Sequence, residues 1–162
     1  AWSEGLNIFG ESFLHQASTF WGVRLHLNTP LSFNDKVQIA RMPSYSPIDG
    51  SLARVCGWGT TATSSSIQKY LSCVYLNIVD NYRCKNDYCY EPSEIPYTAV
   101  CAYTEGKDSC QGDSGNGMTI ENIVHALVSF GDGCAKENCP GAYTDVYKVR
   151  EFVVQYASCV SF

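Results

Sequence analysis

Six short apolar segments recur along this chain: Ser51–Cys56, Leu71–Val79, Thr98–Ala102, Gly117–Ile120, Ile123–Phe130 and Ala142–Val146. Each is bounded by Gly, Pro, Asn, Asp or Ser. Short runs closed by turn formers read as strands, and this many at such spacing predict an all-β fold, an antiparallel barrel or sandwich. A strand-like stretch from Trp21 to Leu27 precedes them, closed by the turn signal Asn28-Thr29-Pro30, and Pro43 to Ser51 reads as a loop. Two segments read as helices. One is short, Asp80–Lys85 with Asp80 as its cap. The other is C-terminal, Asp145–Tyr156, where Val146, Val149, Phe152, Val153 and Tyr156 fall at helical spacing behind Asp145. That apolar face is expected to pack on the barrel. Residues 1–20 show no strong period.

At 162 residues the chain has room for one domain with a sizeable core, and 45% apolar with 17% charged residues is a globular composition. No run approaches the length of a membrane span, so no membrane is expected as a partner. A formal charge of −5, with scattered basic residues, argues against nucleic acid. Ala1 to Gly10 lack the basic start and apolar stretch of a secretory signal. A start on Ala rather than Met implies a mature product or a fragment.

Nine cysteines narrow the class: Cys56, Cys73, Cys84, Cys89, Cys101, Cys110, Cys134, Cys139 and Cys159. They supply no pair of Cys-x2-Cys knuckles, so no metal is expected. A secreted, disulfide-bonded domain fits them better than a set of reduced thiols. Because nine is odd, at least one is free, bonded to another chain or without its partner.

The stretch Asp108-Ser109-Cys110-Gln111-Gly112-Asp113-Ser114-Gly115 carries the chemistry. A serine that attacks a carbonyl needs backbone N–H groups aimed at the developing oxyanion. A glycine ahead of it lets the chain turn so that those amides converge. All eight positions resemble the nucleophile segment of the trypsin-like serine proteases, and the resemblance continues in the family's order. Cys56-Gly57-Trp58-Gly59 resembles the turn that opens the second barrel. Val128-Ser129-Phe130-Gly131 is similar to the Val-Ser-Trp-Gly edge strand, with Phe in place of Trp. Pro140-Gly141-Ala142-Tyr143-Thr144 is similar to the Pro-Gly-Val-Tyr-Thr strand, and Leu25-His26-Leu27 through Val37 to the end of the first barrel and the crossover. The resemblance runs from about Leu25 to Val154. It implies the second barrel of a two-barrel fold with a C-terminal helix, as an unmatched segment, residues 1–24, and a partial protease domain, residues 25–162.

The resemblance also implies roles. Ser114 stands at the nucleophile position, and the amides of Gly112 and Ser114 at the oxyanion hole. Asp113 resembles the aspartate that pairs with a newly cut N-terminal amine. Asp108 resembles the acid on the floor of a pocket for Arg or Lys, where a charge-assisted bond selects a basic side chain. Gly131 and Gly141 would keep that pocket's walls open, and Ser129 would bond substrate backbone. Two bridges follow from the family pattern, Cys84–Cys101 and Cys110–Cys134. Cys73 matches a cysteine whose usual partner lies in the N-terminal region, and a further family bridge would need cysteines near Ala53 and Ile120, where none stands. Cys56, Cys89, Cys139 and Cys159 receive no assignment. No cofactor is implied.

The departures concern the base. A serine hydroxyl needs a histidine to take its proton and an aspartate to orient that histidine. The family's histidine segment does not occur, and Trp21 stands where the aspartate is expected, four residues before Leu25. Of the three histidines, the strand pattern turns His26 away from the core and makes His125, inside the strand before Val128, an ordinary packed or surface imidazole. His15 lies in the unmatched segment. The chain does not begin with the family's Ile-Val-Gly-Gly, and Asn116-Gly117 stand where the family has Gly-Pro. The expectation is an inactive homologue that acts by binding a peptide or protein bearing Arg or Lys. A fragment of an active endopeptidase cleaving after Arg or Lys is the alternative, and a secreted structural protein without a ligand is a third reading. Half of a two-barrel fold would also expose the face that packs on the first barrel, which implies a partner chain or self-association.

Overall fold

A computed structural model describes residue 29 and residues 31–61 and 66–156. Six strands form a closed antiparallel barrel: β1 (Leu52–Gly57), β2 (Ser72–Val79), β3 (Ala99–Tyr103), β4 (Gly117–Ile120), β5 (Ile123–Phe130) and β6 (Gly141–Asp145), in the order β1-β2-β3-β6-β5-β4. Each of the six apolar segments becomes a strand; β4 and β5 keep the bounds read from the sequence, and the other four move by one residue at one or both ends. The Trp21–Leu27 stretch lies outside the described residues.

Alternation builds the interior. In β1, Ala53, Val55 and Gly57 point inward between exposed or half-buried neighbours. They meet Leu76 and Ile78 of β2, Val100 and Ala102 of β3, Met118 of β4, Ala126 and Val128 of β5 and Tyr143 of β6. β3 does not alternate, because its outer face is covered as well. A second apolar cluster there gathers Val79, Cys84, Tyr90, Ile95, Ala99, Cys101, Cys139 and Ala142. The β4–β5 hairpin turns on Glu121 and Asn122, with φ of 49° and 66°. Two left-handed residues in a row give the turn whose twist matches the flanking strands.

Helix α1 (Asn81–Asp87) begins where the sequence places it, with the Asp80 side chain accepting from Arg83 N at 2.8 Å. Helix α2 (Arg150–Tyr156) starts later than the sequence pattern predicts. Asp145 belongs to β6 and is buried, and its carboxylate accepts from Tyr147 N at 3.0 Å. That side-chain-to-backbone bond, two residues on, closes a turn in place of the first helical turn.

Four disulfides join described cysteines: Cys56–Cys73, Cys84–Cys101, Cys89–Cys139 and Cys110–Cys134. The first corrects the expectation that the partner of Cys73 lies elsewhere in the family's chain. The β1–β2 register sets Cys56 directly opposite Cys73, with Cα atoms 4.0 Å apart. Cys159 lies outside the described residues.

His125 sits inside the wall of β5, 1% exposed, and its Nδ1 has no hydrogen-bond partner. The Tyr45 ring leans on it at 5.4 Å. Burial lowers the imidazole pKa below its ordinary 6.5, against a smaller opposing pull from Asp145 and Glu121. The unfolded chain therefore binds this proton more readily than the folded one. His125 contributes a loss of stability that begins as the pH falls through 6.5 and levels off below the folded-state pKa. His125→Leu is expected to flatten that part of the urea-midpoint profile, and an unchanged slope would count against the assignment.

Candidate active site

The segment from Asp108 to Asn116 connects β3 to β4 as a series of turns. Asp113 N donates to Cys110 O at 3.0 Å, and Asn116 N donates to Asp113 O at 3.0 Å. Gly112 and Gly115 take φ of 94° and 82°, a region where a side chain would be strained. The turns are pinned on two sides. Gly115 N donates to Val128 O on β5 at 2.8 Å, and Thr60 N donates to Gln111 O at 2.8 Å. Ser114 is thereby fixed beside the stretch of β5 that leads to Ser129. Its hydroxyl has no hydrogen bond to another described residue.

Asp113 is the anchor of these turns. Its carboxylate accepts from Gly59 N at 2.8 Å and from Cys110 N at 3.1 Å, and the residue is 9% exposed. The approach requires glycine on the facing strand end. A Cβ on Gly57 would stand 2.0 Å from the Asp113 carboxylate, and one on Gly59 2.4 Å from it. The expectation for this aspartate concerned an N-terminal amine; here both carboxylate oxygens are held by backbone amides of the described chain.

Asp108 occupies a second seat. Its two oxygens accept from Ser109 N at 2.8 Å and from Ala135 N at 3.0 Å. Burial pushes its carboxyl above the ordinary aspartate value, and those two amides pull part of the way back. The Cys110–Cys134 bond ties together the two peptides that donate to it. Gly141 lies directly against this carboxylate: a Cβ there would stand 2.9 Å from Asp108 Oδ1 and 3.0 Å from the Tyr143 hydroxyl. A Cβ on Gly131 would stand 3.8 Å from the Gly141 Cα. Asp108, Gly131 and Gly141, far apart in the sequence, therefore meet at one place. Ser129 sits where the β5–β6 register slips between Val128 and Phe130. Such a bulge re-aims side chains next to it.

Three contributors carried no role in the sequence reading. Tyr143, fully buried, shares a hydrogen bond of 2.9 Å with Ser109 Oγ, and burial holds its phenol well above the ordinary range. Tyr90 donates its hydroxyl to Pro140 O at 2.7 Å. Asn116 donates from its amide to Cys56 O at 3.2 Å. Tyr143 had a sequence signal as part of the Pro-Gly-Ala-Tyr-Thr stretch, and Asn116 had one as a departure from the family's Gly-Pro.

A cavity of about 220 Å³ lies behind the site, lined by Gly57, Gly59, Ser72, Asp108, Asp113 and Ala135 among others. Ser114, Ser129, Gly131 and Gly141 are not among the residues that line it. Of the histidines, His125 is buried in β5, and His15 and His26 lie outside the described residues, as does Trp21. No group of three metal-ligating side chains exists among the described residues. No helix among them is long and apolar enough to cross a membrane.

Comparison with known proteins places this geometry in context. A family model described as Trypsin matches residues 22–153. Trypsin alpha of Drosophila melanogaster is 39% identical over 137 residues, which cover 84% of this chain and 54% of that protein. Trypsin alpha-3 of Lucilia cuprina is 38% identical over 136 residues, covering 84% of this chain and 82% of that one. Among solved structures, neuropsin, a serine protease expressed in the limbic system of mouse brain, superposes with a TM-score of 0.70 at 29% identity. The match covers 76% of this chain and 56% of neuropsin. The chain spans about half the length of the Drosophila trypsins it matches.

Proposed function

The chain belongs to the trypsin family of serine proteases, and from that premise we propose that it binds Arg- or Lys-bearing peptides or proteins without, by itself, cutting them. The observation that carries this reading is the seat of Asp108. A half-buried carboxylate that is held by two amides, has Gly141 against it and borders a cavity is suited to meet a guanidinium or ammonium group. Ser114 takes the nucleophile position and the amides of Gly112 and Ser114 the oxyanion hole, with Ser129 bonding ligand backbone. A serine hydroxyl without a base is a poor nucleophile. The sequence offers no histidine segment of the family's kind, and His125 is committed to the barrel wall.

The second reading is a portion of an active endopeptidase that cleaves after Arg or Lys. It is favoured by the coverage of about half the length of the Drosophila relatives. There the rest of the fold would supply the base. Under either reading a further chain or domain covers the exposed apolar side chains leading into the barrel, such as Phe33 at 59% and Ile39 at 50%. The four disulfides and membership of the trypsin family support a secreted protein.

Three measurements test this. A fluorophosphonate probe and an Arg-containing chromogenic peptide should give neither labelling of Ser114 nor turnover; turnover would overturn the inactive reading. Benzamidine should bind, and Asp108→Ser should weaken it at least thirtyfold, roughly the cost of leaving a buried cation without its partner. Because burial raises the Asp108 pKa, that affinity should fall on acidification at a higher pH than for an exposed aspartate.

A further inference from the structure

We propose that Cys89, Cys139 and Tyr90 form a clasp that positions the Gly131 and Gly141 walls against Asp108 and so sets the affinity of that site for a basic side chain. The inference rests on the reading of Asp108 given above and assigns a role to residues that the reading does not use.

The segment 131–140, between β5 and β6, is under strain. Ala135 and Asn138 take φ of 55° and 54°, the left-handed region, which the side chain of Ala135 disfavours. Ala135 N is one of the two donors to Asp108. Relaxation of this loop would withdraw that donor and shift the glycine that follows Pro140. Something outside the loop has to hold it.

The structure supplies that hold at consecutive residues. Asn138 N donates to the Tyr103 hydroxyl at 3.1 Å, and Asn138 O accepts from Cys89 N at 3.2 Å. Cys139 is bonded to Cys89 and is 4% exposed. Pro140 O accepts from the Tyr90 hydroxyl at 2.7 Å. The next residue is Gly141. The same Tyr90 hydroxyl lies 3.9 Å from where a Cβ on Gly131 would stand, and its ring meets Phe130 edge-on at 6.2 Å. One buried tyrosine thus touches both walls, and the disulfide beside it fixes where that tyrosine enters. Cys110–Cys134 anchors the near end of the loop to the Asp108 segment, and Cys89–Cys139 anchors its far end to the segment following α1. With both ends fixed, a ligand meets walls already in place and does not bear the ordering of the loop.

The test compares Cys89→Ala/Cys139→Ala with Cys56→Ala/Cys73→Ala in the full chain. Benzamidine affinity is read by calorimetry and amide hydrogen exchange residue by residue. Loss of the clasp should weaken benzamidine roughly tenfold, the scale of ordering a loop on binding. It should also lower exchange protection across residues 131–141 while the β1–β2 amides keep theirs. Removing Cys56–Cys73 should leave the affinity within roughly twofold. Equal affinity in the clasp variant, or an equal loss in both, overturns the inference. If the unaltered chain binds no benzamidine, the basic-ligand reading falls, and unchanged protection across 131–141 would then overturn the clasp by itself. Should the double variant fail to fold, Tyr90→Phe keeps the disulfide and removes the bond to Pro140. That variant should show the same localised loss of protection, and unchanged protection would overturn the inference.

Discussion

Gly59→Ala is expected to lower the stability of the barrel by about 2–4 kcal/mol, the scale of forcing a buried carboxylate off its donors. The methyl group would stand 2.4 Å from Asp113 Cγ and Oδ2, inside contact distance. An aspartate on the surface would swing away at little cost. This one is 9% exposed and bonded to Gly59 N and Cys110 N, so any movement leaves donors and carboxylate without partners. Urea unfolding under oxidising conditions measures the loss. The diagnostic arm is the pair Gly59→Ala/Asp113→Ala: with the carboxylate gone the methyl has room, so the double variant should cost clearly less than the sum of the singles. Strict additivity, or a Gly59→Ala effect within about 0.5 kcal/mol of zero, would sink the explanation.

Truncating Tyr143 should be as damaging for a different reason. Tyr143→Ala is expected to cost about 3–5 kcal/mol, the range for deleting a large buried aromatic side chain. It is the largest fully buried side chain of the barrel and packs among the inward residues of the other strands. Tyr143→Phe keeps the packing and removes only the hydrogen bond to Ser109 Oγ, and it should cost about 1 kcal/mol. A Phe variant as unstable as the Ala variant would mean that the hydroxyl, and not the ring, holds β6 in place. The same urea series resolves the two.

The strands were legible because period-two burial and turn residues are local signals, and each of the six apolar segments lies in a strand. Asp80 was legible as a helix cap for the same reason. The start of α2 was not, because Asp145 has two local uses for one carboxylate, and the closed turn to Tyr147 won over a helical first turn. The Cys56–Cys73 bond was hidden since it depends on register. A shift of one residue between β1 and β2 would turn one of the two sulfurs to the other face. The partner of Cys89 was hidden further still, 50 residues away across a loop whose path no periodicity encodes. At the site, Asp108, Gly131 and Gly141 were legible only through motif likeness. The amides that hold the two aspartates belong to backbone positions with no side-chain signature. Tyr90 looked like any other tyrosine of a tyrosine-rich stretch.

Because β1 pairs with β4 as well as β2, every strand has a neighbour on both sides, and the ring of main-chain hydrogen bonds is complete. Beyond the last β4 partner at Leu127, however, the end of β5 at Ser129–Phe130 is paired on one side only, and there an extended peptide can add to the sheet. Association through the fully paired part of the wall must be read by side chains, so single surface substitutions will disrupt it there, whereas peptide-backbone mimics will compete at the end of β5.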